Sequence, residues 1–146
     1  MSIPSKLALE AFERGIAIGL KRNFFVACAL VDPSGRTIGV LRHEKAQWMT
    51  PDFAIGKAIL ASAYKNRTQA MYDRLQKERP LYGTMVASLT NQYGWLLVEG
   101  GTSVNRGEGE SAECVVAVGI SGCFPAAVDQ EVADEVAAWL KSVLVK

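Results

Sequence analysis

Two apolar runs joined by a tight turn limit the folds open to this 146-residue chain. The first run, Phe24 to Val31, is short, nearly continuous and contains aromatic residues and valine, which is typical of a buried strand. Asp32-Pro33-Ser34-Gly35 follows, with Pro second and Gly fourth as a type I turn prefers. Arg36 to Leu41 then returns as the second strand of a hairpin. The hairpin predicts a sheet that is mainly antiparallel.

Helical patterns flank this hairpin on both sides. Helices are predicted from Ser5, from Thr50 to about Lys65, from Thr68 to a stop at Pro80, and from about Val128 to Val145. An irregular stretch begins at Leu81-Tyr82-Gly83. Three more strands are predicted at Gly94–Val98, Thr102–Val104 and Cys114–Ser121. The chain is therefore predicted to form a single domain over residues 1–146. Its class is α/β of the α+β type, with one mainly antiparallel five-stranded sheet packed by helices.

Charge and cysteine usage exclude several classes of partner. The 16 Lys and Arg residues are spread among 15 acids, so no basic stripe for nucleic acid forms. Three cysteines without a CxxC pair predict buried thiols rather than a metal site. No stretch approaches the roughly 20 apolar residues of a membrane span, and the first residues lack the apolar core of a secretory signal. We therefore expect a cytoplasmic protein without a membrane or nucleic-acid partner.

Five short motifs occur in an order that resembles a known family. They are Arg42 at the end of the second strand; Thr50 leading into Ala54-Ile55-Gly56-Lys57-Ala58; the pair Gly100-Gly101; Gly119-Ile120-Ser121-Gly122; and Asp129-Gln130-Glu131. In this order the chain resembles the GlcG/HbpS family, which includes the C-terminal domain of PduO-type proteins. The sequence departs from the family pattern with His43-Glu44-Lys45 after the arginine and with Ser103 after the glycine pair.

The resemblance implies a small-ligand-binding protein. Members of the family are described as binding haem or corrinoids, as degrading haem, or as accessory proteins in catabolic operons. The expected cofactor is thus haem or a corrinoid, with no cofactor as the alternative. The resemblance also implies a homo-oligomer. Similarity of fold does not by itself establish function, so the ligand must be inferred from the chemistry of the site residues.

Two cations and a glycine pair are the candidate ligand-binding residues. Arg42 offers a planar fork to a carboxylate, and Lys57 offers a compact charge two turns into the next helix. Gly100 and Gly101 would let backbone N–H groups approach an anionic ligand. Haem propionates or a small organic acid suit this arrangement. In the alternative interpretation, the cations pair with surface acids and the glycines only turn the chain.

His43 and its neighbours are candidates for catalysis or for walling a pocket. The single histidine is a possible haem-iron ligand or a general base, and it is otherwise a solvated loop residue. Trp48 suits the wall of a flat apolar pocket, and it equally suits core packing or an oligomer contact. An alternative function follows: a cofactor-independent isomerase or tautomerase acting on a small carboxylate. There Arg42 or Lys57 holds the acid while His43 or Glu44 moves the proton.

Overall fold

The computed structural model describes residues 3–146, which form four strands and six α-helices. The strands are β1 (Ala27–Val31), β2 (Thr37–Arg42), β3 (Gly101–Arg106) and β4 (Glu113–Ser121). The helices are α1 (Ser5–Lys21), α2 (Thr50–Tyr64), α3 (Thr68–Glu78), α4 (Pro80–Ser88), α5 (Thr90–Tyr93) and α6 (Ala126–Leu144). Within residues 3–146, no helix is both long and apolar enough to cross a membrane.

The four strands form one antiparallel sheet in the order β2-β1-β4-β3. The predicted hairpin is confirmed, since β1 pairs with β2 from Ala27 opposite Arg42. Its turn is held by Asp32, whose Oδ1 accepts hydrogen bonds from the N–H groups of Ser34 and Arg36. This aspartate cap is a standard way to stabilise a tight turn. The prediction of an antiparallel α+β sheet is therefore confirmed.

Two predicted elements are wrong, each for its own physical reason. Residues 94–98 form no strand, because the Leu96 N–H donates to the Gly56 carbonyl of α2 instead of to a neighbouring strand. Leu97 packs beside Leu60 and Met71, so the apolar residues of this segment cover a helix. The sheet accordingly has four strands rather than five. The stretch after Pro80 is helix α4, because proline is well suited to a first helical position.

The two faces of the sheet pack against different helices. Val26, Cys28 and Leu30 point towards α1 and α6, in a core shared with the alternate residues of β4. On the opposite face, small side chains from β1 and β4 pack against α2; they are Ala27, Ala29 and Ala117. The sheet is therefore the middle layer between α2 on one side and α1 with α6 on the other.

Gly119 allows α2 to approach the sheet unusually closely. A Cβ at Gly119 would lie 1.8 Å from the carbonyl oxygen of Ala54 and 2.9 Å from the amide nitrogen of Ala58. Helix α2 therefore rests on the backbone of β4 rather than on side chains. This close approach brings Lys57 of α2 within hydrogen-bond reach of the carbonyl of Ile120.

Candidate functional site

An open cleft of about 640 Å³ lies where the first half of α2 meets the end of β4. This volume is within the range of roughly 300–1,000 Å³ that is usual for small-molecule sites. Its lining residues come from four parts of the chain: the segment before β1, the β2–α2 connection with α2, the segment before β3, and the end of β4 with the start of α6. They are Asn23, Phe24, Phe25, Lys45, Ala46, Gln47, Thr50, Phe53, Lys57, Leu96, Val98, Ser121, Gly122, Cys123, Phe124 and Asp129.

A buried ion pair forms the floor of the cleft. Lys57 Nζ lies 3.0 Å from Asp129 Oδ2, and each side chain is only 4% exposed. The same ammonium donates to the carbonyl oxygen of Ile120 at 3.0 Å. Asp129 Oδ1 accepts a hydrogen bond from the N–H of Cys123 at 2.9 Å. Both charges are thus compensated and hydrogen-bonded, as buried ions must be.

Burial dominates the electrostatics of this floor. It raises the pKa of the Asp129 carboxyl above its ordinary value, although Lys57 and the Cys123 N–H both act to lower it. Burial, followed by the neighbouring Asp129 charge, raises the pKa of the Cys123 thiol as well. A raised thiol pKa keeps Cys123 protonated near neutral pH, so it is not an activated nucleophile.

Aromatic rings form the walls and mouth of the cleft. Phe25, Phe53 and Phe124 line the cleft and are all substantially exposed, with Phe124 the most open at 84%. Lys45 lies at the rim, with its ammonium 5.7 Å from the centre of the Phe25 ring. Exposed aromatic rings beside a cation suit a flat apolar ligand that carries acid groups.

The only histidine of the chain lies next to the cleft but is not one of its lining residues. His43 stacks on Phe25 with ring centres 4.7 Å apart, and its Nδ1 accepts a hydrogen bond from the Lys45 N–H. Glu44 is exposed, with Oε2 3.7 Å from His43 Nε2. Trp48 is 79% exposed and does not line the cleft.

Arg42 and the glycine pair also lie outside the set of lining residues, and their donors are bonded within the protein. The Arg42 guanidinium donates to the carbonyl oxygen of Ala46. The Gly100 N–H donates to Gln130 Oε1, and the Gly101 N–H donates to Thr68 Oγ1. Of the four residues expected to share one pocket, the structure places Lys57 in the cleft and the other three beside it.

Several residues that line the cleft have no site role in the sequence prediction. Ser121 and Asp129 belong to two of the motifs that carry the family resemblance, so a signal was present in the sequence. Phe53 and Lys45 carried no such signal, because each is an ordinary residue in an amphipathic or polar segment. Among residues 3–146, no group of three or more His, Cys, Asp or Glu side chains is placed to hold a metal ion.

Comparison with known proteins agrees with the fold described above. A family model described as "Haem degrading protein HbpS-like" matches residues 3–138. A mutant of HbpS from Streptomyces reticuli is 25% identical, with a TM-score of 0.77 over 96% of this chain and 88% of that one. The protein ORFY of Klebsiella pneumoniae is 26% identical, with a TM-score of 0.78 over 97% of this chain and 92% of that one.

A third solved structure is described as a complex of PduOC with heme. It is 22% identical, with a TM-score of 0.77 over 94% of each chain. At that identity the likeness concerns the fold alone. The comparison with curated protein sequences gives no match.

Proposed function

This chain belongs to the HbpS-like family of haem-degrading proteins, and from that premise we propose that it binds haem, or a related planar tetrapyrrole such as a corrinoid, in the aromatic cleft. The observation that carries the proposal is the composition of the cleft. Exposed Phe25, Phe53 and Phe124 surround a space of about 640 Å³, and Lys45 stands at its rim. The similar fold of the PduOC structure described with heme supports the same ligand class.

The residues of the cleft fit a tetrapyrrole ring and its carboxylates. The phenylalanine rings offer flat apolar surface to the macrocycle, and the Lys45 ammonium would pair with a propionate at the mouth. Bound haem would supply a redox-active iron. The protein would contribute orientation of the ring and partial exclusion of water from its apolar part.

His43 is the proposed ligand of the iron, because it is the only imidazole in the sequence. Its Nδ1 accepts a hydrogen bond from the Lys45 N–H, so Nε2 carries the proton of the neutral ring. Ligation through Nε2 would require that proton to move to Nδ1 and this hydrogen bond to break. Its ring now stacks on Phe25, so ligation would require the two rings to separate. We expect His43→Ala to change the position of the Soret band; an unchanged spectrum would assign the iron to another group.

We expect hemin to bind the purified protein and to shift the Soret band. Phe53→Asp should weaken binding by about tenfold or more, because a charge replaces apolar contact surface worth roughly 1.5–3 kcal/mol. Leu41→Asp is the matched control: Leu41 is similarly exposed, at 42% against 45%, but lies outside the cleft. Absorbance titration of the three proteins decides the matter, and equal affinity in all three would contradict binding in this cleft.

The proposal includes self-association through an exposed apolar surface on α3, α4 and α5. Six large side chains on these helices and at the junction of α4 with α5 are exposed: Tyr72, Leu81, Tyr82, Met85, Leu89 and Tyr93. Several large apolar side chains exposed on neighbouring helices are typical of protein interfaces. We expect a dimer or larger assembly at micromolar concentration and a shift towards monomer in Leu81→Asp/Met85→Asp, measured by light scattering. A monomeric wild-type mass at every concentration would overturn this part.

A further inference from the structure

The floor of the cleft carries no net charge although it contains a lysine. The Lys57 ammonium and the Asp129 carboxylate face each other at 3.0 Å, both almost completely buried. A bound anion at this depth would add a third, uncompensated charge to a poorly hydrated site, which is costly. The floor is therefore unsuited to a carboxylate, unlike the exposed Lys45 at the rim.

The floor nevertheless has hydrogen-bond donors to spare. An ammonium has three N–H bonds, and within residues 3–146 Lys57 uses two of them, towards Ile120 O and Asp129 Oδ2. Ser121, which is 5% exposed and follows Ile120 on β4, also lines the cleft, and its hydroxyl forms no hydrogen bond within the described part of the chain. Two donors thus reach the bottom of an otherwise largely apolar space.

From this geometry we infer that the floor binds a neutral oxygen acceptor, such as a ketone carbonyl, at the inner end of a flat apolar ligand. The oxygen would accept hydrogen bonds from Lys57 and Ser121 without adding charge. Leu96 and Val98 beside the floor would contact the apolar body, and any acid group would point outward to Lys45. The inference rests on the proposed function in that it takes the same cleft as the ligand site, and it adds the chemistry of the buried end.

Three small naphthalenes test the inference without haem. They share one ring system and differ at one position: 2-acetylnaphthalene has a neutral carbonyl, 2-ethylnaphthalene lacks the oxygen, and 2-naphthoate carries a full charge. We expect the ketone to bind about tenfold more tightly than the ethyl compound, the usual effect of one hydrogen bond from a charged donor. It should also bind more tightly than the carboxylate. Affinities can be measured by ligand-observed NMR titration.

Substitutions at the floor of the cleft test whether the preference for the ketone over the ethyl compound arises there. Ser121→Ala should reduce the ratio of ketone to ethyl affinity by a factor of about three to ten. Ser103→Ala is its matched control, because Ser103 Oγ is buried with no hydrogen-bond partner among residues 3–146 and Ser103 does not line the cleft. The double variant Lys57→Met/Asp129→Asn removes the ammonium donor without leaving a buried charge, and it should also lower the ratio of ketone to ethyl affinity, leaving only the contribution of Ser121. If that variant does not fold, the comparison of Ser121→Ala with Ser103→Ala still shows whether the ketone preference depends on the floor of the cleft.

Failure of this inference is distinguishable from failure of haem binding. A ketone that binds no more tightly than 2-ethylnaphthalene, or not at all at millimolar concentration, overturns the inference whatever hemin does. A ratio that falls equally in Ser121→Ala and Ser103→Ala also overturns it. The protein could also leave the spectrum of hemin unchanged and yet prefer the ketone, with that preference lost in Ser121→Ala. This result would support the floor site and contradict only the proposal that the cleft binds a tetrapyrrole.

Discussion

Replacing Lys57 with Met is expected to destabilise the folded protein by about 3–5 kcal/mol. The substitution nearly preserves side-chain volume, so the loss is electrostatic rather than a matter of packing. It leaves the Asp129 carboxylate, 4% exposed, without the ammonium that now lies 3.0 Å away. Chemical denaturation of the two proteins at neutral pH measures the difference.

The deficit of Lys57→Met should shrink in acid. Burial already raises the pKa of Asp129 in the wild type, and Lys57 is the strongest of the influences that lower it. Removing Lys57 therefore raises this pKa further. A carboxyl whose pKa is higher in the folded than in the unfolded state costs stability above the folded pKa. That cost fades as pH falls, because the folded state then binds the extra proton. Stability of the variant, relative to wild type, should recover as the pH falls through the raised pKa of Asp129 towards the ordinary range of a carboxyl group.

The double variant Lys57→Met/Asp129→Asn separates this explanation from a loss of shape. The asparagine side chain would keep an oxygen for the Cys123 N–H, whose hydrogen bond Asp129 Oδ1 now accepts, and no charge would remain buried. We expect the double variant to recover most of the stability lost in the single variant, since neutral replacement of a buried pair is often tolerated. A double variant as unstable as Lys57→Met, or a deficit independent of pH, would contradict the electrostatic account.

Gly119→Ala should destabilise the protein by more than about 3 kcal/mol, the upper end of ordinary overpacking. The added Cβ would lie 1.8 Å from the Ala54 carbonyl oxygen, so α2 would have to move off the sheet. The neighbouring atoms are backbone and cannot turn aside as a flexible side chain would. Thermal unfolding monitored by circular dichroism measures the effect.

The control for Gly119 is Gly109→Asn. Position 109 has open space where a Cβ would stand, and asparagine tolerates its positive φ of 70° better than most residues do. We expect this variant to unfold close to wild type. If Gly119→Ala proves equally mild, the close contact between α2 and β4 described above is wrong.

Local sequence signals predict much of the fold, because the turn at Asp32 and the helical patterns act over a few residues. The strand prediction at residues 94–98 is wrong because a short apolar run has the same pattern whether it pairs with a strand or covers a helix. Only the tertiary hydrogen bond from the Leu96 N–H to the Gly56 carbonyl shows that the segment covers a helix and does not join the sheet. The prediction of an irregular stretch after Pro80 is wrong because proline starts helices as well as ending them.

The site is less predictable than the fold for a similar reason. The sequence indicates Lys57 as a cation two turns into a helix, but its partner Asp129 is 72 residues away and no local pattern links the two residues. The glycine pair suggests free N–H groups, yet each N–H is bonded to a side chain. Gln130 accepts the hydrogen bond of Gly100, and Thr68 accepts that of Gly101. Such pairings depend on how α6 and α3 dock on the sheet, which periodicity does not encode.

The binding site of a tetrapyrrole on this protein can be mapped residue by residue in solution. Gallium protoporphyrin IX, a diamagnetic analogue of haem, can be titrated into isotope-labelled protein while backbone amide shifts are followed. We expect the largest amide shift changes at the cleft: Phe25, Lys45, Phe53 and residues 121–124. Saturable shifts confined to the exposed surface of α4 and α5, or to the β2 edge of the sheet, would contradict this expectation.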